Sequence, residues 1–293
     1  MGIIKKILRK TASSYGYQLL SKEKYEPIDL TGEKFKSIWE LVYLASGRDF
    51  IISVPLEDCR FFGITASIPT NKSANPFIKA LMEHFELGIT EYQESNLANF
   101  YANHQPKNIR ERLELNISNS EYSSFKPAGL VLPWHSNSFD FYYKQTYLHE
   151  VAEGKQYNKK MKEHDGTKYF GPISSRKGQL EFDRLTKLFK KIKNEGYKKS
   201  VEKNGNVSAD VLIDKERLAY VIKGGQHRVA VAAALGITEI PIKISPASLY
   251  DRKHLSCMPA VRRCYYTTEE AGVIFDRIFK GEQVSLIQDD TLT

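Results

Sequence analysis

The sequence predicts an α+β protein, with a mainly helical N-terminal region followed by a more regular α/β portion. Three observations lead there. Before residue 150, apolar residues recur at helical spacing in several separate windows. From about residue 178 the pattern becomes a long amphipathic helix, two apolar runs joined by a polar turn, a glycine corner, an alanine-rich helix and a last apolar run. The chain has 293 residues, 41% hydrophobic and 12% aromatic, enough to pack one large domain or two ordinary ones and to exclude wholesale disorder.

The elements follow in order. In residues 1–20, Ile3, Ile4, Ile7 and Leu8 share one helical face and Lys5, Lys6, Arg9 and Lys10 lie opposite. A basic amphipathic helix of this kind, through residues 3–10, suits an anionic membrane surface, and equally suits docking on the protein's own body. No window approaches about eighteen uninterrupted apolar residues, so no membrane-spanning helix is expected. No signal peptide is expected either. Cys59, Cys257 and Cys264 are odd in number and lack a CxxC pair, which fits a reducing cytoplasm rather than a disulfide frame or zinc cluster. The expected location is therefore cytoplasmic, with a peripheral place at the inner face of the membrane open to the N-terminal helix.

Residues 21–150 read as a helical region of unassigned role. A helix within 34–50 is stopped by Gly47, and "FIISVP" (50–55) has the continuous apolar character of a buried strand. A helix over 75–88 has Asn75 as N-cap, Pro76 in its first turn and Gly88 past its end. Further helices are expected within 92–106 and 108–115. The Ser-, Asn- and Pro-rich region 116–140 reads as an irregular connection, holding His135 and running into the aromatic stretch "FDFYYKQTYLHE". The seven histidines show neither HExxH nor HxH spacing, so no protein-built metal site is expected.

Beyond residue 150, "GQLEFDRLTKLFKKIKNEGY" (178–197) is an amphipathic helix with Phe182, Leu185, Leu188, Phe189 and Ile192 as its core stripe and Gly196 as its stop. "ADVLIDKERLAYVIKGG" follows as two strands turning at Asp214 and Lys215. A helix over Gln226–Leu235, a stop at Gly236 and a strand over 240–244 complete the unit, and "TEEAGVIFDRIFKGE" adds one more helix. Net charge is +8, and residues 155–203 hold fifteen Lys or Arg against six Asp or Glu, an excess of nine. Such a segment is either a solvated face or an attractor of anionic partners.

The corner "GGQHR" is the most informative stretch. Gly224 and Gly225 permit positive φ and close backbone approach. Gln226, His227 and Arg228 then open a helix, whose unpaired N–H groups and dipole attract anions. Arg228 supplies a fixed guanidinium that can grip phosphate bidentately, and His227 a donor that titrates near neutrality. Strand, Gly-Gly, polar triplet and helix thus make a phosphate cradle, or an ordinary strand-turn-helix corner.

The run "GGQHRVAVAAALGITEIPIKI", with the helix and strand pair before it, resembles the signature of the ParB/sulfiredoxin-like fold, over about Tyr169 to Ile244. The resemblance implies a nucleotide-binding domain over residues 151–293. Sulfiredoxins carry a cysteine in the middle of this turn; Gln226 stands there instead, so thiol chemistry is not expected. The chromosome-partitioning ParB proteins add a helix-turn-helix, and the C-terminal fifty or so residues here offer a single helix. The relatives whose turn is chemically nearest are kinases that phosphorylate a small hydroxyl compound.

The resemblance accordingly implies a nucleotide-dependent phosphotransferase using ATP or ADP with Mg²⁺ on a hydroxyl of a small molecule or glycan. The alternative is a ParB-like nucleic-acid-binding or nucleotide-switched regulator without kinase activity. For the kinase, Glu181 would accept the hydroxyl proton, with Asp183 in reserve and His227 beside them. Arg184, three residues from Glu181, would share its face away from the core and act on phosphate. Arg176 and Lys177 would close over phosphates from a loop, joined at the corner by Gly224, Gly225, Gln226, His227 and Arg228. Arg262 and Arg263, beside two tyrosines, are candidates for the acceptor site.

Overall fold

The computed structural model describes residues 26–62, 66–198 and 206–282. The basic helix expected within residues 1–20 lies outside them. The architecture is mixed α+β, as the sequence predicts. A six-stranded sheet runs in the order β1-β2-β6-β4-β5-β3, where β1 is Ile28–Asp29, β2 Phe50–Pro55, β3 Cys59–Phe61, β4 Val207–Asp214, β5 Arg217–Gly224 and β6 Glu239–Asp251. The sheet is mixed. β2 lies antiparallel to β6 with Ile52 opposite Ile242, β6 parallel to β4, β4 antiparallel to β5, and β3 parallel to β5 with Arg60 opposite Val221.

This pairing runs across residue 150, the boundary expected from the sequence. Strands from the region read as helical hydrogen-bond directly to β6 and β5, so one sheet is woven from both parts. The reason is visible in β2, whose run Phe50, Ile51, Ile52 and Val54 is buried and needs a sheet neighbour on each side. β3 is too short to carry a readable period.

The principal helices are α1 (Ile38–Leu44), α2 (Pro76–Glu86), α3 (Asn96–Asn103), α4 (Phe139–Gln156), α5 (Ser175–Glu195), α6 (Gln226–Ala234) and α7 (Thr268–Lys280). Most begin where a small polar side chain satisfies a first-turn N–H. Ser37 accepts from Trp39, Asn75 from Phe77, Ser138 from Phe141, Ser174 from Lys177, and Thr267 forms a capping box with Glu270. The aromatic stretch expected to continue an irregular connection is instead α4, started by Ser138.

Alternation along the central strands sends side chains to two cores. Val207, Ala209, Val211, Tyr220 and Ile222 meet α2, α5 and α6 on one face. Leu212, Ala219 and Val221 meet Trp134 and α7 residues Ile274, Phe275 and Phe279 on the other. The strand ends at Gly224 emerge between these layers, where the helix α6 begins.

Candidate functional site: a cationic cleft at the glycine corner

The corner at the end of β5 has the backbone that its glycines were expected to allow. Gly225 adopts φ +84° as the N-cap of α6. A Cβ at this residue would lie 2.9 Å from Val207 Cγ2 and 3.1 Å from Val207 Cα, so a side chain is opposed by both conformation and space. No side chain caps α6, and its internal hydrogen bonds begin with Val229 N donating to Gly225 O at 3.1 Å. The N–H groups of Gln226, His227 and Arg228 therefore precede the helical ladder, at the positive end of the helix dipole.

This corner forms one wall of a cleft of about 860 Å³. Among the described residues, seven cationic side chains line it. Arg184, Lys187 and Lys191 project from α5 at spacings of three and four, one stripe of the helix. Lys168 comes from the loop before α5, Lys223 from β5, Arg228 from α6 and Lys243 from β6. Glu153 is the one carboxylate among the described residues that line it. The basic excess noted in the sequence is thus partly focused on a concave surface rather than spread over a solvated face.

Behind the cleft lies a buried ionic cluster. Glu181, with no exposed side-chain surface, accepts from Lys177 Nζ at 2.6 Å, from Arg184 Nη1 at 3.1 Å and from His227 Nε2 at 2.7 Å. Lys177 also pairs with Glu150 of α4. Glu153 binds Lys168 at 2.6 Å and Arg184 at 2.8 Å. His227 is stacked on Phe77 of α2, with ring centroids 4.7 Å apart and planes 21° apart.

Opposing effects set the charges here. Burial alone would push the Glu181 carboxyl up, but Lys177, the His227 hydrogen bond and Arg184 hold it well below the usual carboxylate range. Burial also works on Glu153, yet Lys168 and Arg184 hold it at about 2. Burial and the Arg184 charge push the His227 imidazole below its ordinary value, outweighing the pull of Glu181. His227 is consequently neutral at neutral pH and donates its Nε2–H to an ionised Glu181, leaving Nδ1 as the unprotonated nitrogen.

The expected site residues divide accordingly. Gly224, Gly225, Gln226, His227, Arg228 and Arg184 line the cleft together. Gln226 does so beside a buried side chain whose amide donates to Phe62 O at 2.6 Å, so its backbone rather than its amide group is what the corner offers a ligand. Glu181 and Arg184 form the expected pair, but Glu181 faces inward. With both oxygens engaged by Lys177, Arg184 and His227 and no exposed surface, Glu181 is not placed to take a proton from a substrate hydroxyl. His227, 8% exposed and lining the cleft, stands between the two.

Arg176 and Lys177 do not form a phosphate-covering loop. Both belong to the first turn of α5; Arg176 pairs with Asp165 at 2.6 Å and Lys177 is fully buried. Asp183 accepts from Gln179 Nε2 at 2.9 Å and does not line the cleft. Arg262 and Arg263 are exposed at the end of the short helix Pro259–Arg262, also away from the cleft.

Glu150, Glu153, Lys168, Lys187, Lys191, Lys223 and Lys243 were not singled out individually from the sequence. The i, i+3 acidic pair in "HEVAEG" was the available signal for the first two. Glu150, Glu153 and Glu181 bring carboxylate oxygens within 4.8 Å of one another. Their oxygens are already taken by Lys177, Lys168, Arg184 and His227, so the trio is a charge-balanced cluster and does not fit a cage for Mg²⁺.

No family model matches this chain, and neither the curated proteins nor the solved structures yielded a match.

Proposed function

We propose that this protein is a nucleotide-dependent phosphotransferase of ParB/sulfiredoxin-like kind, which moves a phosphoryl group from ATP or ADP to a hydroxyl. The observation that carries the reading is the convergence of seven Lys and Arg side chains with the uncapped start of α6 on one cleft. A polyphosphate tail carries several negative charges, and both features offer what such a tail needs, fixed N–H donors and positive charge. The terminal phosphate lies near His227, and the Glu181–His227 pair handles the proton: Glu181 fixes the ring through Nε2–H, and Nδ1 accepts the proton of the attacking hydroxyl. The hydroxyl oxygen bonds to phosphorus as the bond to the leaving nucleotide breaks.

Thermal unfolding with and without ATP, ADP or CTP and Mg²⁺ tests the binding half. A ligand at about a hundred times its Kd stabilises the folded state by ~2.7 kcal/mol, a shift of several degrees in Tm. The shift is expected with an adenine nucleotide and is expected to vanish in Arg228→Ala. For the chemical half, Glu181→Gln is expected to keep the shift and lower turnover about 10²–10⁴-fold, the usual size of general acid–base assistance. Tight, steeply salt-dependent duplex binding with no nucleotide shift would replace this reading with the nucleic-acid regulator.

A further inference from the structure

A second pocket, of about 380 Å³, adjoins the cleft and shares His149, Tyr169 and Lys223 with it. Its character is different. Phe62, Tyr142, Tyr169 and Tyr250 form apolar walls. These rings hold one another in place: Tyr142 stacks on His135 at 4.5 Å, Phe62 meets Tyr169 edge-on at 6.1 Å, and Tyr250 stacks on Trp134 at 5.8 Å. Among these walls sits Asp210, 3% exposed on β4. Trp134 Nε1 donates to its Oδ2 at 3.2 Å. Lys223 Nζ forms an ion pair with Oδ1 at 2.6 Å, and the Ser248 side chain also hydrogen-bonds this carboxylate. Arg112, His135, Ser136, Gln145, Thr146 and His149 complete the polar lining.

We propose that this pocket receives the phosphoryl acceptor, and that the acceptor is a neutral ring bearing several hydroxyls, of the sugar or cyclitol class. The proposal rests on the phosphotransferase reading above. Phosphate belongs in the cleft, where the described lining holds seven cations and one carboxylate; this pocket holds two cations, Arg112 and Lys223, and Lys223 is already paired with Asp210. The aromatic walls match the C–H face of a saturated ring, and Asp210 Oδ1 is an acceptor of the kind a hydroxyl donor satisfies. Lys223 lines both spaces, so a hydroxyl held beside Asp210 lies next to the phosphates that Lys223 would touch.

The two tryptophans are Trp39 and Trp134, and Trp134 touches Asp210 directly. In a Trp39→Phe background the indole N–H resonance of Trp134 reports occupancy of the pocket. The probes are myo-inositol, methyl glucoside, N-acetylglucosamine and adenosine, each titrated alone and with Mg-ATP. At least one ring polyol is expected to move the resonance saturably while adenosine does not. Asp210→Asn is expected to weaken that binding about tenfold or more, the size of one charge-assisted hydrogen bond, while leaving the ATP-induced Tm shift intact. Should Asp210→Asn fail to fold, Tyr142→Leu provides the same comparison by removing a wall. A resonance moved by adenosine and by no polyol would assign the pocket to the nucleoside and overturn the proposal, as would a resonance that no probe moves. Failure of the underlying reading looks different: polyols move the resonance, but no nucleotide shifts the Tm of the wild-type chain.

Discussion

Replacing Lys177 with methionine removes the ammonium that stands between two buried carboxylates. The Lys177 and Glu181 side chains have no exposed surface and that of Glu150 has 2%. Glu181 keeps Arg184 and His227 in the variant, whereas Glu150 is left with the Lys168 backbone N–H at 3.1 Å as its hydrogen-bond donor. Removing one partner of a buried ion pair costs ~3–5 kcal/mol, because the remaining charge stays desolvated. Burial already pushes the Glu150 carboxyl above its ordinary value, so it can take up a proton and relieve part of that cost. The expected loss is therefore about 3 kcal/mol, the lower end of the range. Urea unfolding followed by circular dichroism at neutral pH measures it. Lys177→Met with Glu150→Gln should recover much of the loss, since the uncompensated charge is gone. A single variant within about 0.5 kcal/mol of wild type, the range of ordinary surface substitutions, would show that Lys177 does not hold a buried charge balance.

Two further outcomes follow from the same structure. Gly225→Ala places a Cβ in a φ +84° backbone against Val207 and is expected to cost ~1–3 kcal/mol in urea unfolding; an unchanged midpoint would show that the corner is not constrained as described. Acid should destabilise the protein well before its carboxylates titrate. Burial and Arg112 push His104 down to about 4, and burial and Lys223 push His135 down to about 3. Because both folded values lie below the ordinary one near 6.5, the unfolded chain binds protons first as pH falls. Their contribution is complete above about pH 6.5 and declines by ~1.4 kcal/mol per pH unit per histidine below it, or about 2 kcal/mol each by pH ~5. Urea midpoints across that interval check this, and His104→Leu or His135→Asn should flatten the slope.

Most of the helices and the strand-turn-helix corner were legible because their signals are local. Asn75 with Pro76, Gly196 and the Gly224-Gly225 pair each act on the backbone within a residue or two. The joining of β2 and β3 to the C-terminal strands was not legible, since pairing partners as distant in the chain as Phe50 and Ile244, or Cys59 and Tyr220, leave no mark in a window of either strand. The site divided along the same line. His227, Arg228 and Arg184 could be read from one motif and one helix. The inward turn of Glu181 depends on α4 supplying Glu150 and Glu153 across from Lys177 and Arg184, a contact between elements that the sequence lists separately. The amphipathic pattern of α5 also misled: a buried ionic cluster occupies positions that, by hydrophobicity, read as the solvent side.

A crystal structure with a non-hydrolysable ATP analogue and Mg²⁺ would show directly where the polyphosphate binds. The phosphates are expected against the backbone N–H groups of Gln226, His227 and Arg228, within reach of Lys187 and Lys223, with the Glu181–His227 contact intact. Phosphate density elsewhere on the protein, or a corner closed by the chain's own side chains in the presence of saturating analogue, would contradict that placement.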